Sequence, residues 1–251
     1  MSNLKGVGVA LVTPFNEDLS VDFDSLTRLV EYNIENGTNY LVVLGTTAEA
    51  ATLSAAEKQE VIKHVIKINN KRLPLVLGIG GNNTLEVKKQ IEEADLTDFD
   101  AVLSVSPYYN KPNQEGLYQH YKMLASTGKQ IIIYNVPGRT GQNIEASTTL
   151  RLANEFPNLF MIKEASPNIL QYFDILRKKP ANFSLVSGDD EYTLPITLAG
   201  GDGVISVIGQ GYPKEFSTMV QLAFEGKVKE AYEIHNKLVE ITRLIFAEGN
   251  P

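Results

Sequence analysis

The stretch Leu159-Phe160-Met161-Ile162-Lys163-Glu164-Ala165-Ser166 is an apolar run that ends in a lysine just before turn residues. Taken alone it reads as a buried parallel strand with an amine at its exit, because strands covered on both faces are apolar throughout rather than alternating. Burial disfavours a charged amine, so a desolvated lysine supplies neutral amine near neutral pH and can attack a carbonyl. Lys163 is thereby a candidate Schiff-base nucleophile. The competing reading is an ordinary charged strand end, Lys163-Glu164, facing water. What the rest of the chain builds around this strand decides between them.

Before it, the chain repeats one unit. Gly6 to Phe15 opens as a strand and closes at Thr13-Pro14, and a helical segment follows with Phe23, Leu26, Leu29, Val30 and Ile34 at helical spacing, stopped by Asn36-Gly37. Tyr40 to Leu44 is the second strand, ending at Gly45-Thr46-Thr47, and Ser54 with Glu57 forms a capping box ahead of the next helix. Strands follow at Leu75 to Ile79, Ala101 to Val105 and Gln130 to Ile133, the last leading into Tyr134-Asn135-Val136-Pro137-Gly138-Arg139 and a helix that ends near Phe156. The Lys163 strand is sixth, Phe183 to Val186 seventh and Gly203 to Ile208 eighth, with Pro213 at N1 of the helix after it. Eight strand–helix units of roughly 28 residues each predict a closed (β/α)8 TIM barrel over residues 1–226. No G-x-G-x-x-G follows the first strand, so a dinucleotide-binding sheet is disfavoured.

An amphipathic helix from about Lys227 to Ala247 follows, with Val228, Ala231, Tyr232, Leu238, Ile241, Leu244 and Ile245 as its expected buried stripe. The final Glu248-Gly249-Asn250-Pro251 is turn chemistry, so residues 227–251 are expected to be the start of a truncated C-terminal helical extension.

Composition narrows the function. Across 251 residues, 43% hydrophobic and 21% charged residues fit an ordinary globular protein, and no apolar run is long enough for a membrane helix. A formal net charge of -7 argues against a nucleic-acid partner, while leaving room for a small anionic substrate held by a local cation. There is no cysteine, hence no disulfide framework, thiolate zinc site or catalytic thiol, and Met1-Ser2-Asn3-Leu4-Lys5 carries no signal-peptide core, so a cytoplasmic location is expected. His64, His120 and His235 lie far apart with no i,i+4 partner, which argues against a metal site or a histidine triad. Asp189-Asp190 reads as a helix N-cap rather than a metal pair.

A TIM barrel places its active site at the C-terminal ends of its strands. Those ends carry Thr13, Thr46, Thr47, Gly80, Tyr108, Tyr109, Tyr134, Arg139, Lys163, Gly188, Asp189 and Ile205. One lysine, several hydroxyls and one arginine make a coherent imine chemistry. Lys163 is the nucleophile, Tyr134 the proton carrier and Thr46 the group that orients it. The Thr46-Thr47 backbone offers N–H groups to a carboxylate, and Arg139 suits a second carboxylate. A half-buried core tyrosine and a solvated loop arginine are the corresponding bland readings.

At these residues the sequence resembles the dihydrodipicolinate synthase family of the pyruvate-dependent class I aldolases, from about Gly6 to Pro251. Gly45-Thr46-Thr47-Ala48-Glu49 is similar to the family's G-T-T-G-E. Pro107-Tyr108-Tyr109-Asn110-Lys111-Pro112, Tyr134-Asn135-Val136-Pro137-Gly138-Arg139-Thr140-Gly141, Ile162-Lys163-Glu164-Ala165 and Ser187-Gly188-Asp189-Asp190 resemble its other signatures. The resemblance implies a lyase of lysine and diaminopimelate biosynthesis that condenses pyruvate with L-aspartate 4-semialdehyde, using no cofactor and no metal. It implies an imine on Lys163, a proton relay of Tyr134, Thr46 and Tyr109, and Arg139 on the carboxylate of the semialdehyde. Gly188 and Ile205 would line the pyruvate pocket, with Thr47 beside it. Tyr109 would enter a neighbouring subunit's site, implying a homodimer or homotetramer.

Ala48 and Ala50 depart from the family's usual glycine and serine, the first reshaping the carboxylate turn; Ala50 and Lys58 replace polar and titratable groups of lysine-inhibited members, so weak or no feedback inhibition by lysine is implied. Two alternatives stay open from the sequence. One is another pyruvate-dependent aldolase, such as an N-acetylneuraminate or 2-keto-3-deoxy sugar-acid lyase. The other is a catalytically inactive barrel that only binds an oxo acid.

Overall fold

In the computed structural model, which describes residues 4–249, the strand-forming runs pair in chain order into a closed, wholly parallel barrel. Its strands are β1 (Gly6–Ala10), β2 (Tyr40–Val43), β3 (Leu75–Gly78), β4 (Ala101–Val105), β5 (Ile131–Asn135), β6 (Leu159–Glu164), β7 (Ser184–Ser187) and β8 (Gly203–Ser206). Around them lie α1 (Phe23–Glu35), α2 (Ala55–Asn69), α3 (Thr84–Glu93), α4 (Gln114–Ala125), α5 (Pro137–Thr140), α6 (Ala146–Glu155), α7 (Ile169–Lys178), α8 (Thr193–Leu198), α9 (Pro213–Phe224) and α10 (Val228–Ile245). Met1-Ser2-Asn3 and Asn250-Pro251, read above from the sequence, lie outside the described residues.

Side chains alternate between two layers because successive strand residues point to opposite faces. Tyr40, Val42, Val76, Leu103, Ile132, Met161, Val186 and Ile205 fill the barrel interior, while Val7, Val9, Leu41, Ile131, Ile133, Ile162 and Leu185 pack outward against the helices. Closure between β8 and β1 pairs Gly203 with Gly6 and Ile205 with Gly8. Gly8 is required there: a Cβ would fall 2.1 Å from the ring of Tyr40, whose hydroxyl donates to the carbonyl of Val204.

Local signals in the chain set the element ends. The capping box of α2 is formed in both directions, Ser54 N–H to Glu57 Oε2 at 2.8 Å and Glu57 N–H to Ser54 Oγ at 3.2 Å. Asn83 caps α3, and Pro213 opens α9.

Four expectations need correction. β5 continues through Tyr134 and Asn135, which the sequence placed in the following loop, because both residues find ladder partners in Lys163 and Glu164. The helix expected after it is two pieces, α5 and α6, separated at Gly141, which takes the left-handed conformation (φ 71°). Asp189 and Asp190 do not cap α8, whose cap is Tyr192. Instead Asp189 accepts from the N–H groups of Glu191 and Tyr192, and Asp190 reaches across to the N–H groups of Val207 and Ile208 after β8. In α10 the stripe is narrower than its periodicity suggests: Ala231, Leu238 and Thr242 are buried, while Val228, Tyr232 and Leu244 are exposed. The helix packs on α8, α9 and the 3-10 turn at Ile208–Gln210.

Between α3 and α4, the buried His120 ring meets the Thr84 hydroxyl through Nδ1 at 2.8 Å and stacks edge-on against Tyr121. Burial pushes its pKa down to about 4. As pH falls, the unfolded chain therefore binds this proton first, near pH 6.5, and the folded chain only near pH 4. Stability contributed by neutral His120 is full above the first value and lost across that window, about 3 kcal/mol in all. In denaturant melts at several pH values, the advantage of the wild-type chain over His120→Gln should shrink by about that amount as pH falls through the window; parallel curves would refute the assignment.

Candidate active site

Lys163 is the fifth residue of a six-residue strand and faces the barrel interior, two positions beyond Met161 on the same face. It is buried, with 3% of its surface accessible, and among the described residues it forms no ion pair. A lysine in that position is buried without a carboxylate partner, unlike a structural lysine held in an ion pair. The solvated strand end considered from the sequence is thus excluded.

Its ladder partner on β5 is Tyr134, and the Lys163 amine sits 4.3 Å from the centre of the Tyr134 ring. The Tyr134 hydroxyl in turn lies 3.5 Å from Thr46 Oγ1. Thr46 begins a 3-10 turn, Thr46–Ala48, reached through Leu44, which is held at φ 57° although it is not glycine. Such a conformation costs a non-glycine residue backbone strain. Thr47 is buried in this turn, and Thr13 donates from Oγ1 to the Ala48 carbonyl at 2.7 Å, fixing the turn against the end of β1. The first N–H groups of the turn have no helical partner of their own.

Gly188 closes the other side of the lysine. A Cβ there would fall 2.9 Å from Lys163 Cε and 2.7 Å from the Ala165 methyl, so any side chain at this position would displace the lysine or its neighbour. Ile205, fully buried, belongs to the interior layer below. An amine, a phenol and a hydroxyl in this order, at the strand ends of a dry barrel, can form an imine and move the protons that its formation requires.

The Dihydrodipicolinate synthetase family matches the chain over residues 3–251. The chain belongs to this family. A 4-hydroxy-tetrahydrodipicolinate synthase of Flavobacterium psychrophilum is 58% identical over 247 residues, 98% of this chain and 84% of that protein. One from Parabacteroides distasonis is 54% identical, covering 99% and 84%. Among solved structures, dihydrodipicolinate synthase from Thermotoga maritima superposes with a TM-score of 0.96 at 40% identity, covering 100% of this chain and 86% of that one. The enzyme from Acinetobacter baumannii, solved with pyruvate, gives 0.95 at 42% identity, covering 99% and 85%.

The family's remaining signature residues stand apart from the lysine. Tyr109 is 88% exposed on the loop after β4 and adopts φ 70°, a conformation unusual for a tyrosine. The loop is anchored beside it, where Asn110 Nδ2 donates to the Asn82 carbonyl at 3.0 Å. Arg139 is exposed in α5, without an ion pair among the described residues. The fold therefore joins Lys163, Tyr134, Thr46 and Gly188 in one group, with Thr47 and Ile205 bordering it, and leaves Tyr109 and Arg139 at the rim.

Sequence reasoning missed a second group directly behind the first. Glu164 is fully buried on the outer face of β6, where its carboxylate accepts four N–H contacts. Oε1 takes Asn135 Nδ2 at 2.9 Å and Ser166 N at 2.8 Å, and Oε2 takes Asn135 Nδ2 at 3.0 Å and Gln171 Nε2 at 2.8 Å. Burial pushes this carboxyl above its ordinary value, and hydrogen bonds from Asn135, Gln171 and Ser166 pull it back. The available signal was a polar Asn135 inside an apolar strand run. Among the described residues no cluster of three or more histidine, aspartate or glutamate side chains could hold a metal ion, and no helix is long and apolar enough to cross a membrane.

Gly188→Ala should slow borohydride trapping of an oxo acid on Lys163 by roughly 10- to 100-fold, because the added methyl displaces the side chain by a sizeable fraction of an ångström or more. Denaturant melts should show a cost of only about 1–3 kcal/mol. Trapping at the wild-type rate would mean that the lysine has room to spare.

Proposed function

We propose that this chain condenses pyruvate with L-aspartate 4-semialdehyde to give 4-hydroxy-tetrahydrodipicolinate, the activity for which its relatives at 54–58% identity are named. The observation that carries this is the dry, unpaired Lys163 amine against Tyr134, with Thr46 beyond it. The pyruvate-bound relative, similar over 99% of this chain, supports pyruvate as the first substrate.

In this mechanism the neutral amine of Lys163 attacks C2 of pyruvate, and the resulting carbinolamine loses water to form an iminium. Tyr134 carries the protons these steps move, donating to the departing hydroxyl and accepting from the amine, with Thr46 orienting its phenol. The cationic iminium then acidifies the methyl group, and the Tyr134 phenolate left by water loss takes one of its protons to give an enamine. Carbon 3 of that enamine attacks the aldehyde carbon of the second substrate, and Tyr134 returns the proton to the aldehyde oxygen, which becomes the hydroxyl of the product. Finally the amino group of that substrate adds to C2, closes the ring and expels Lys163 as the free amine. The N–H groups of the Thr46-Thr47 turn suit the pyruvate carboxylate, and Arg139 suits that of the semialdehyde. Gly188 and Ile205 shape the pocket floor.

The role of Tyr109 requires a second subunit. A large aromatic residue that is 88% exposed and held at positive φ costs backbone strain without any packing return within its own chain. It completes the proton relay of a neighbouring copy in a homodimer, or in a tetramer built from such dimers. A 40% identical relative described as a monomeric variant makes the assembly state a point to measure.

Two experiments test these readings. Incubation with pyruvate followed by borohydride should place a covalent adduct on Lys163, located by peptide mass spectrometry. Lys163→Ala should lose both adduct and turnover while keeping native circular dichroism, and an adduct on any other residue would overturn the mechanism. Thr46→Val and Tyr109→Phe should each lower turnover by roughly 10²-fold or more. If Tyr109 acts across the interface, mixing the two inactive variants under exchange should restore about a quarter of the sites. Failure of hybrid dimers to recover activity would confine Tyr109 to its own subunit or to no relay at all.

A further inference from the structure

The Tyr134–Lys163 pair faces the barrel interior, and the next pair along the same two strands, Asn135–Glu164, faces the helices. The two pairs are therefore neighbours in one register. Regular backbone pairing does not fix that register along the whole ladder. At its start Ile131 pairs with Leu159, but Ile132 pairs with Met161, so the strands already slip by one residue around Phe160. A further one-residue slip would turn Lys163 out toward the helices and Glu164 into the barrel.

We propose that Glu164 is a positioning residue: bonded to Asn135, its buried carboxylate pins β6 to β5 and so holds the Lys163 amine against Tyr134. This rests on the imine chemistry assigned to Lys163 above. The residue types fit a carboxylate and nothing else. The amide of Asn135 cannot reverse, because its Oδ1 accepts from Ile144 N at 2.9 Å and its Nδ2 also serves Asn143 Oδ1 at 2.8 Å. Gln171 is held in the same sense, since its Oε1 accepts from Asn143 Nδ2 at 2.8 Å. Both amides thus present N–H to residue 164, as does the backbone of Ser166. An acceptor with two oxygens satisfies all three, whereas a glutamine would set its own N–H against one of them.

The main chain of Glu164 is held as well. Its carbonyl accepts from Gly188 N at 2.6 Å and from the Tyr172 hydroxyl at 2.5 Å. The residue after the nucleophile is in this way tied to β5, to the glycine that flanks the lysine and to α7. The backbone of the reacting lysine has little freedom to rotate.

The test measures how fast the imine forms in protein that is fully folded. Wild-type chain, Glu164→Gln and Ile175→Val are mixed with saturating pyruvate well below their melting temperatures. Borohydride is added at timed intervals, and the Lys163 adduct is quantified by mass spectrometry. Ile175 is fully buried on α7 in the same layer and away from the lysine, so its variant reports loosening of the core alone.

Glu164→Gln should form adduct at least about tenfold more slowly than wild type, while Ile175→Val keeps the wild-type rate. Glu164→Gln that melts earlier yet reacts at the wild-type rate would overturn the proposal, as would equal slowing in both variants. If Glu164→Gln does not fold, Gln171→Met serves instead: it removes one donor, leaves the Asn135–Glu164 contact, and should slow adduct formation by roughly threefold. An unchanged rate there would equally overturn it. No adduct in the wild-type chain would remove the imine reading and the clamp with it, whereas wild-type adduct with an unimpaired Glu164→Gln would remove the clamp alone.

Discussion

The structure depends on one ladder contact, the pairing of Tyr134 with Lys163 across β5 and β6. It brings an amine and a phenol from segments about thirty residues apart into the same few ångströms through parallel strand pairing, with the Asn135–Glu164 side-chain contact at the next pair along. Closure of the barrel makes this possible. A strand at a sheet edge could adjust its position, but β5 and β6 each have a neighbour on both sides, so a shift of either must be absorbed by the whole ring.

The costs of the site are visible around that contact. An unpaired lysine in a dry interior is unfavourable, as is a leucine or tyrosine at positive φ. The burden falls on a barrel with two largely apolar layers: Ile131, Ile133 and Ile162 face the helices, and Ile132, Met161, Val186 and Ile205 face inward, all with almost no exposure. The glycines at positions 8 and 188 show how the same packing serves two ends. Gly8 gives space to a tyrosine that fills the core, while Gly188 gives space to the buried Lys163 side chain.

The inner and outer faces of the strands also divide the polar work. Inside, Thr46, Tyr134 and Lys163 are loosely arranged, with a 3.5 Å hydroxyl contact and, among the described residues, no ion pair, as the proposed proton transfers would need. Outside, Asn135, Asn143, Glu164 and Gln171 are closely hydrogen-bonded, with most contacts between 2.8 and 3.0 Å, as suits groups that never meet one. A reactive site that tolerates slack in its first layer benefits from a second layer that has none.

The sequence by itself determined the eight strand–helix units, because apolar runs and helical periodicity are local properties. It likewise placed Lys163, Tyr134, Thr46 and Gly188 at strand ends, since a barrel puts every strand exit on one face. It also set the helix starts at Ser54 and Pro213, where one side chain or one missing N–H decides the outcome. Glu164 and Asn135 were not legible as partners, because a polar residue's burial depends on what packs over it, and Gln171 arrives from a helix not in contact until the fold is complete. Nor could periodicity tell that Val228, Tyr232 and Leu244 of the last helix stay exposed: it marks an apolar face, but only neighbouring elements cover one. The length of β5 was decided in the same way, by whether Lys163 and Glu164 stood opposite Tyr134 and Asn135 to pair with them. Register and coverage are relations between distant segments, and only the tertiary structure supplies them.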